Sequence, residues 1–190
     1  MRTFIAITLP KEIKDSLSGI LETLKATQAD VKWVAPANIH LTLKFLGEID
    51  DKKIQEIAEI MEIVAKNKPA FTMNASSLGA FPKIDYPRVI WLGLDKGTQE
   101  AKEIAEDLEE NIAKLGIPKE TRPFSSHITL GRLRSPAKKG RLIQELQNPI
   151  GILKGNNLEF SVTQITLFKS TLTPSGPVYQ ALKTASLKTI

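Results

Sequence analysis

Two short stretches of alternating polar and apolar residues constrain this chain more than anything else in it. They are Ile39-His40-Leu41-Thr42-Leu43-Lys44-Phe45-Leu46 and Ser126-His127-Ile128-Thr129-Leu130-Gly131-Arg132-Leu133. A period of two is the signature of a strand with one face buried and one open. Residues i and i+2 share a face, so His40 stands beside Thr42 and His127 beside Thr129, while Leu41, Leu43, Phe45, Ile128 and Leu130 anchor the other side. These two histidines are the only ones in the chain. Threonine is about one residue in thirteen, so its chance placement two positions after both has odds on the order of one in 160.

The rest of the chain is arranged around these strands. A strand at residues 4–9 ends at Pro10, and Ile13, Leu17, Ile20, Leu21 and Leu24 then recur at helical spacing over residues 11–26. Asp50 and Asp51 can cap a second helix carrying Ile54, Ile57, Met61 and Val64. Two β-like segments follow, near 70–78 and 88–94. Next comes a helix capped by Thr98 and closed by Gly116, then the second motif strand, a short helix around Leu142 and Leu146, and strands near 158–169 and 178–183. Each half thus runs helix, His-x-Thr strand, helix, strands. The expectation is one α+β domain over residues 1–190, with two similar lobes of mainly antiparallel sheet, an internal pseudo-duplication, and the two motif strands facing one another.

Composition narrows the chemistry. With no cysteine, thiolate nucleophiles, disulfides and cysteine-held metals are excluded. No Asp or Glu lies at motif spacing beside either histidine, so no metal or other cofactor is expected. A net charge of +5 and a pI near 9.3 favour an anionic partner. No run is long and apolar enough for a bilayer, and Pro10 arrives too early for a secretory segment, which makes cytoplasmic the default expectation.

Paired imidazoles suit hydrolysis of a phosphodiester in one in-line step, which requires a base for the attacking water and an acid for the departing oxygen. The threonine hydroxyls can donate to nonbridging phosphoryl oxygens. Lys44 shares His40's face by parity. Arg132, five residues after His127, has the opposite parity and reaches the phosphate only through a bulge or turn at Gly131. Phe81, Tyr86 and above all Phe124 are candidates to stack on a terminal base, and the basic loop at 134–141 is a candidate track for an RNA backbone.

These residues resemble the RNA 2′,3′-cyclic phosphodiesterases, also called 2′-5′ RNA ligases, of the two-histidine phosphoesterase superfamily. The resemblance covers nearly the whole chain, from Arg2-Thr3-Phe4-Ile5-Ala6-Ile7 through both motifs, Pro87-Arg88-Val89-Ile90-Trp91 and Arg122-Pro123-Phe124, to Gly176-Pro177-Val178-Tyr179. It implies a bilobal fold with a central cleft, opening of a terminal 2′,3′-cyclic phosphate to a 2′-phosphate, and reversible 2′-5′ ligation. It also implies His40 as proton donor and His127 as acceptor, with Thr42, Thr129 and Arg132 on the phosphate. The partner would be RNA with a cyclic phosphate end, tRNA fragments included, and the expected state is a monomer. The competing expectations are a cyclic phosphodiesterase acting on a small nucleotide and a noncatalytic module holding RNA ends.

Overall fold

The strands expected to face one another lie side by side instead. In a computed structural model of the protein, which describes residues 1–174 and 176–189, one nine-stranded sheet runs through the whole chain. The strands are β1 (Arg2–Thr8), β2 (Val31–Trp33), β3 (His40–Glu48), β4 (Phe71–Lys83), β5 (Tyr86–Lys96), β6 (His127–Leu133), β7 (Glu159–Val162), β8 (Gln164–Thr173) and β9 (Gly176–Ser186). Their order is β7-β4-β5-β6-β3-β1-β8-β9, with β2 added on β6, and all strand pairs are antiparallel. The two motif strands, β3 and β6, form the centre.

The order reads the same outward from that centre. β1 and β5 flank the motif strands, and each leads through a helix into the one beside it: α1 (Lys11–Lys25) into β3 and α3 (Thr98–Ala113) into β6. The outer strands are exchanged. After α2 (Asp51–Lys66) the chain crosses to the β6 half to lay down β4, and after α4 (Lys139–Gln147), α5 (Ile150–Leu153) and β7 it returns to the β3 half as β8 and β9. Two halves that trade outer strands cannot be cut apart at one point in the sequence. The α+β class and antiparallel sheet expected from the sequence are what the structure has.

The helices form where the apolar period placed them. α1 buries Ile13, Leu17, Ile20, Leu21 and Leu24, and α2 buries Ile57, Ala58, Met61, Val64 and Ala65. Asp50 caps α2 as expected, its carboxylate accepting from Lys52 N–H at 3.1 Å. Thr98 is not a cap. It is the first residue of α3, and the N-cap is Gly97 at φ 75°, with no side-chain bond. Gly116 at φ 78° follows α3, where the left-handed turn favours glycine. Leu41 pairs with Ile128 at the sheet's centre, both fully buried.

Candidate active site

Because Leu41 lies opposite Ile128, antiparallel counting puts His40 across from Thr129 and Thr42 across from His127. The two motifs therefore form a two-by-two array, imidazole beside hydroxyl in both directions, on the face opposite the buried leucines.

The local framing of the two histidines is the same. His40 Nδ1 lies 2.7 Å from the Asn38 carbonyl oxygen, and His127 Nδ1 lies 2.7 Å from that of Ser125, in each case two residues upstream. A carbonyl can only accept, so Nδ1 carries hydrogen in both rings and Nε2 is left free for chemistry. His40 Nε2 is 3.0 Å from Thr42 Oγ1, whose hydroxyl donates to it when the ring is neutral. Asn38 is itself held, its amide donating to the Pro177 carbonyl on β9 at 2.8 Å.

The walls differ. Phe4 stacks on His40 at 4.8 Å, and Tyr179 meets it edge-on at 5.4 Å. Phe81 meets His127 edge-on at 5.0 Å and leans on Trp91. Burial therefore pushes the His40 pKa below its ordinary value; the Asn38 carbonyl opposes this, and the charge of Lys14 adds to it. Tyr179 is raised, by burial first, while Arg2 and Arg132 pull it back. The phenol of an outer strand thus feels a guanidinium of the central β6, because the sheet curves toward itself.

Each motif strand contains a β-bulge, at the same position in both. Opposite β1, Ile5 pairs with Lys44 but Ala6 with Thr42, so Leu43 is an extra residue. Opposite β5, Ile90 pairs with Gly131 but Trp91 with Thr129, so Leu130 is extra. Both fall three residues after the histidine, and each inverts the alternation beyond it. Arg132 is thereby turned onto the face of His127, where it is exposed. Gly131 turns inward against β2, and a β-carbon there would come within 2.6 Å of Val31 and 2.8 Å of Trp33.

In β3 the same device overturns the expectation for Lys44. The bulge rotates it away from His40 to the buried side, where Nζ binds Glu109 of α3 at 2.5 Å and the Pro118 carbonyl at 3.3 Å. Lys44 is 2% exposed, so it ties the sheet to α3 and the 117–121 loop rather than meeting a substrate from the histidine face. Phe45 takes the outward place instead. Phe124 is half-buried and packed against the core, and the ring in contact with His127 is Phe81. Tyr86 is exposed at the far hairpin, flanked by Arg88 and Lys139. The rings around the histidines come from β1, β4 and β9, and only pairing across the sheet brings them there.

Among the described residues, no group of three or more His, Asp or Glu stands together as a metal site, and no helix is long and apolar enough to cross a membrane. A family model described as LigT like phosphoesterase matches the chain twice, over residues 7–91 and 92–179. An RNA 2′,3′-cyclic phosphodiesterase of Thermotoga maritima is 37% identical over 183 residues, 96% of this chain and 93% of that one. One from Methanocaldococcus jannaschii is 34% identical, covering 96% of this chain and 99% of its own. Among solved structures, TT0787 of Thermus thermophilus superposes with a TM-score of 0.81 at 28% identity, over 100% of this chain and 99% of that one. E. coli LigT complexed with 3′-AMP does so with a TM-score of 0.77 at 29% identity, over 98% and 97%.

Proposed function

The chain belongs to the LigT-like phosphoesterase family and is an RNA 2′,3′-cyclic phosphodiesterase, and we propose that it opens the cyclic phosphate by metal-independent acid–base catalysis between His40 and His127. The observation that carries this reading is the matched framing of the two rings, each with Nδ1–H bound to a carbonyl and Nε2 directed to the shared face.

In the proposed reaction, water attacks phosphorus in line with the 3′ oxygen. His127 Nε2 takes the water proton as the P–O bond forms. The bond to O3′ breaks, and His40 Nε2–H protonates that oxygen, leaving a 2′-phosphate. Thr42 and Thr129 donate to the nonbridging oxygens, and Arg132 offsets their charge. A proton then returns from His127 to His40 through solvent. A 5′-hydroxyl in place of water would give a 2′-5′ linkage by the same transfers. We read residues 1–190 as one pseudo-duplicated domain, which the mirrored strand order and the double family match support.

The test is a short RNA ending in a 2′,3′-cyclic phosphate, incubated with EDTA-treated protein. Release of 2′-phosphate is expected, with His40→Ala and His127→Ala each lowering kcat by about 10²-fold or more at unchanged circular dichroism. Full activity of either variant, or turnover only after metal is restored, would refute the mechanism. Competition with a small cyclic nucleotide shows whether RNA is the preferred form.

A further inference from the structure

His127 is held by less than His40. Among the described residues its ring makes one hydrogen bond, from Nδ1–H to the Ser125 carbonyl, and meets one aromatic ring, that of Phe81. His40 has its own carbonyl, the Thr42 hydroxyl and two rings. A base that takes a proton from water needs its free nitrogen closely aimed, so whatever fixes Phe81 bears on the reaction.

That support is built from β4 and β5. β1 places Ala6 across from Thr42, whereas β5 places Trp91 across from Thr129, so the indole shares the face of the site. Gly79 lies across from Trp91 on β4, and Gly93 stands two residues along Trp91's own strand. A β-carbon on Gly79 would come within 2.9 Å of Trp91 Cε2, and closer still to Cζ2 and Cη2. One on Gly93 would come within 2.8 Å of Cζ3. The six-membered ring of the indole therefore lies flat in a trough floored by two glycines. Trp91 Nε1 is buried without a hydrogen-bond partner among the described residues, so packing rather than hydrogen bonding seats the indole. Phe81 rests on it, ring centroids 5.3 Å apart at 37°, and meets His127 at 5.0 Å and 89°.

We propose that Trp91 and Phe81 are positioning residues for His127. The glycine trough fixes the indole, the indole fixes the phenyl ring, and that ring keeps the imidazole turned with Nδ1–H on Ser125 and Nε2 toward the phosphate. The inference rests on the reading of His127 as the base, and it gives neither residue a contact with substrate.

The experiment has two arms. In steady-state turnover of RNA ending in a cyclic phosphate, Phe81→Leu is expected to lower kcat about tenfold with KM unchanged, and Phe81→Tyr to retain wild-type values. Gly79→Ala is expected to lower kcat in the wild-type background but not in Trp91→Phe, where Cζ2 and Cη2 are absent. The second arm is nuclear magnetic resonance of protein carrying isotopically labelled histidine, whose ring nitrogens fall into two pairs because the chain has two histidines. Wild type is expected to show the Nδ1–H tautomer at His127, and Phe81→Leu to move that pair toward a mixture of tautomers while the His40 pair stays in place. The proposal is overturned if Phe81→Leu raises KM at constant kcat, which would put Phe81 on the substrate. It is equally overturned if Gly79→Ala costs as much without the indole as with it, or if the His127 signals do not move. The spectra are read without turnover, so a wild-type protein that leaves cyclic phosphate uncut defeats the catalytic reading while the tautomer contrast still decides the positioning.

Discussion

Replacing Lys44 with Met separates the two roles its position in the sequence allows. Methionine keeps the length and apolar stem of the side chain and removes only the ammonium. Glu109 then loses its 2.5 Å partner while its side chain is 20% exposed, and the Pro118 carbonyl loses a donor. Breaking a buried ion pair from one side costs about 3–5 kcal/mol. Glu109 retains some solvent and the Glu120 N–H, which places the loss near the lower end, at about 3 kcal/mol. For a chain of this size each kcal/mol lowers Tm by roughly 2–4 °C, so differential scanning calorimetry should show a drop of about 6–12 °C. Lys44→Met/Glu109→Leu should recover most of it, since an apolar pair can replace a buried ion pair at little net cost. A single variant that melts with wild type but shows a raised KM would mean that Lys44 does reach the substrate.

The depressed pKa of His40 makes stability depend on pH. The unfolded chain takes up a proton near pH 6.5 while the folded one resists it, so the contribution is intact above that pH and is lost as pH falls toward the lower folded value. Urea midpoints between pH 5 and 7 should therefore fall less in His40→Asn than in wild type, and parallel curves would refute the burial argument. Gly131→Ala should cost about 1–3 kcal/mol by overpacking against Val31 and Trp33, and should weaken phosphate binding by displacing Arg132; unchanged denaturation and phosphate titration would show that the bulge absorbs the methyl. Asn38→Ala removes the tie to Pro177, and a net hydrogen bond is worth about 1 kcal/mol, so kcat should fall severalfold with KM nearly constant; the opposite split in steady-state kinetics would place Asn38 on substrate binding instead.

The helices and both histidine strands were legible because apolar period and turn residues are local signals. The bulges were not. Leu43 and Leu130 look like ordinary inward residues of an unbroken alternation, and strict parity put Lys44 on the wrong face. Gly131 gave a partial warning, since a glycine inside a strand pattern marks a bulge or a close approach, and here it marks both. The glycine of β3, Gly47, stands beside a separate register shift opposite Thr3 and Phe4 and not beside Leu43, whose shift is visible only in the pairing with β1. Phe4, Phe81 and Tyr179 are separated from the histidines they touch by tens of residues, and in the case of Tyr179 by most of the chain. Their place depends on which strands neighbour which, and the exchange of outer strands between halves has no signature in local composition.

Two motifs with the same backbone frame, the same free nitrogen and the same bulge need a source of difference if one is to give a proton and the other to take it. The difference lies in what each half places around the ring. His40 is enclosed by Phe4 and Tyr179 with Lys14 nearby, so these surroundings resist its protonation, although the proposed mechanism makes it the acid. A phosphodiester brings a negative charge toward Nε2, and an opposite charge at contact range favours the imidazolium against the desolvation that opposed it. In this mechanism the acid is completed by the substrate: His40 gains its proton as the phosphate arrives, and burial then prevents solvent from screening the pair. The same mechanism gives Arg132, on the other half, the part of drawing the phosphate toward His127, so that the anion would be held between a cation that is always charged and one that becomes charged on binding.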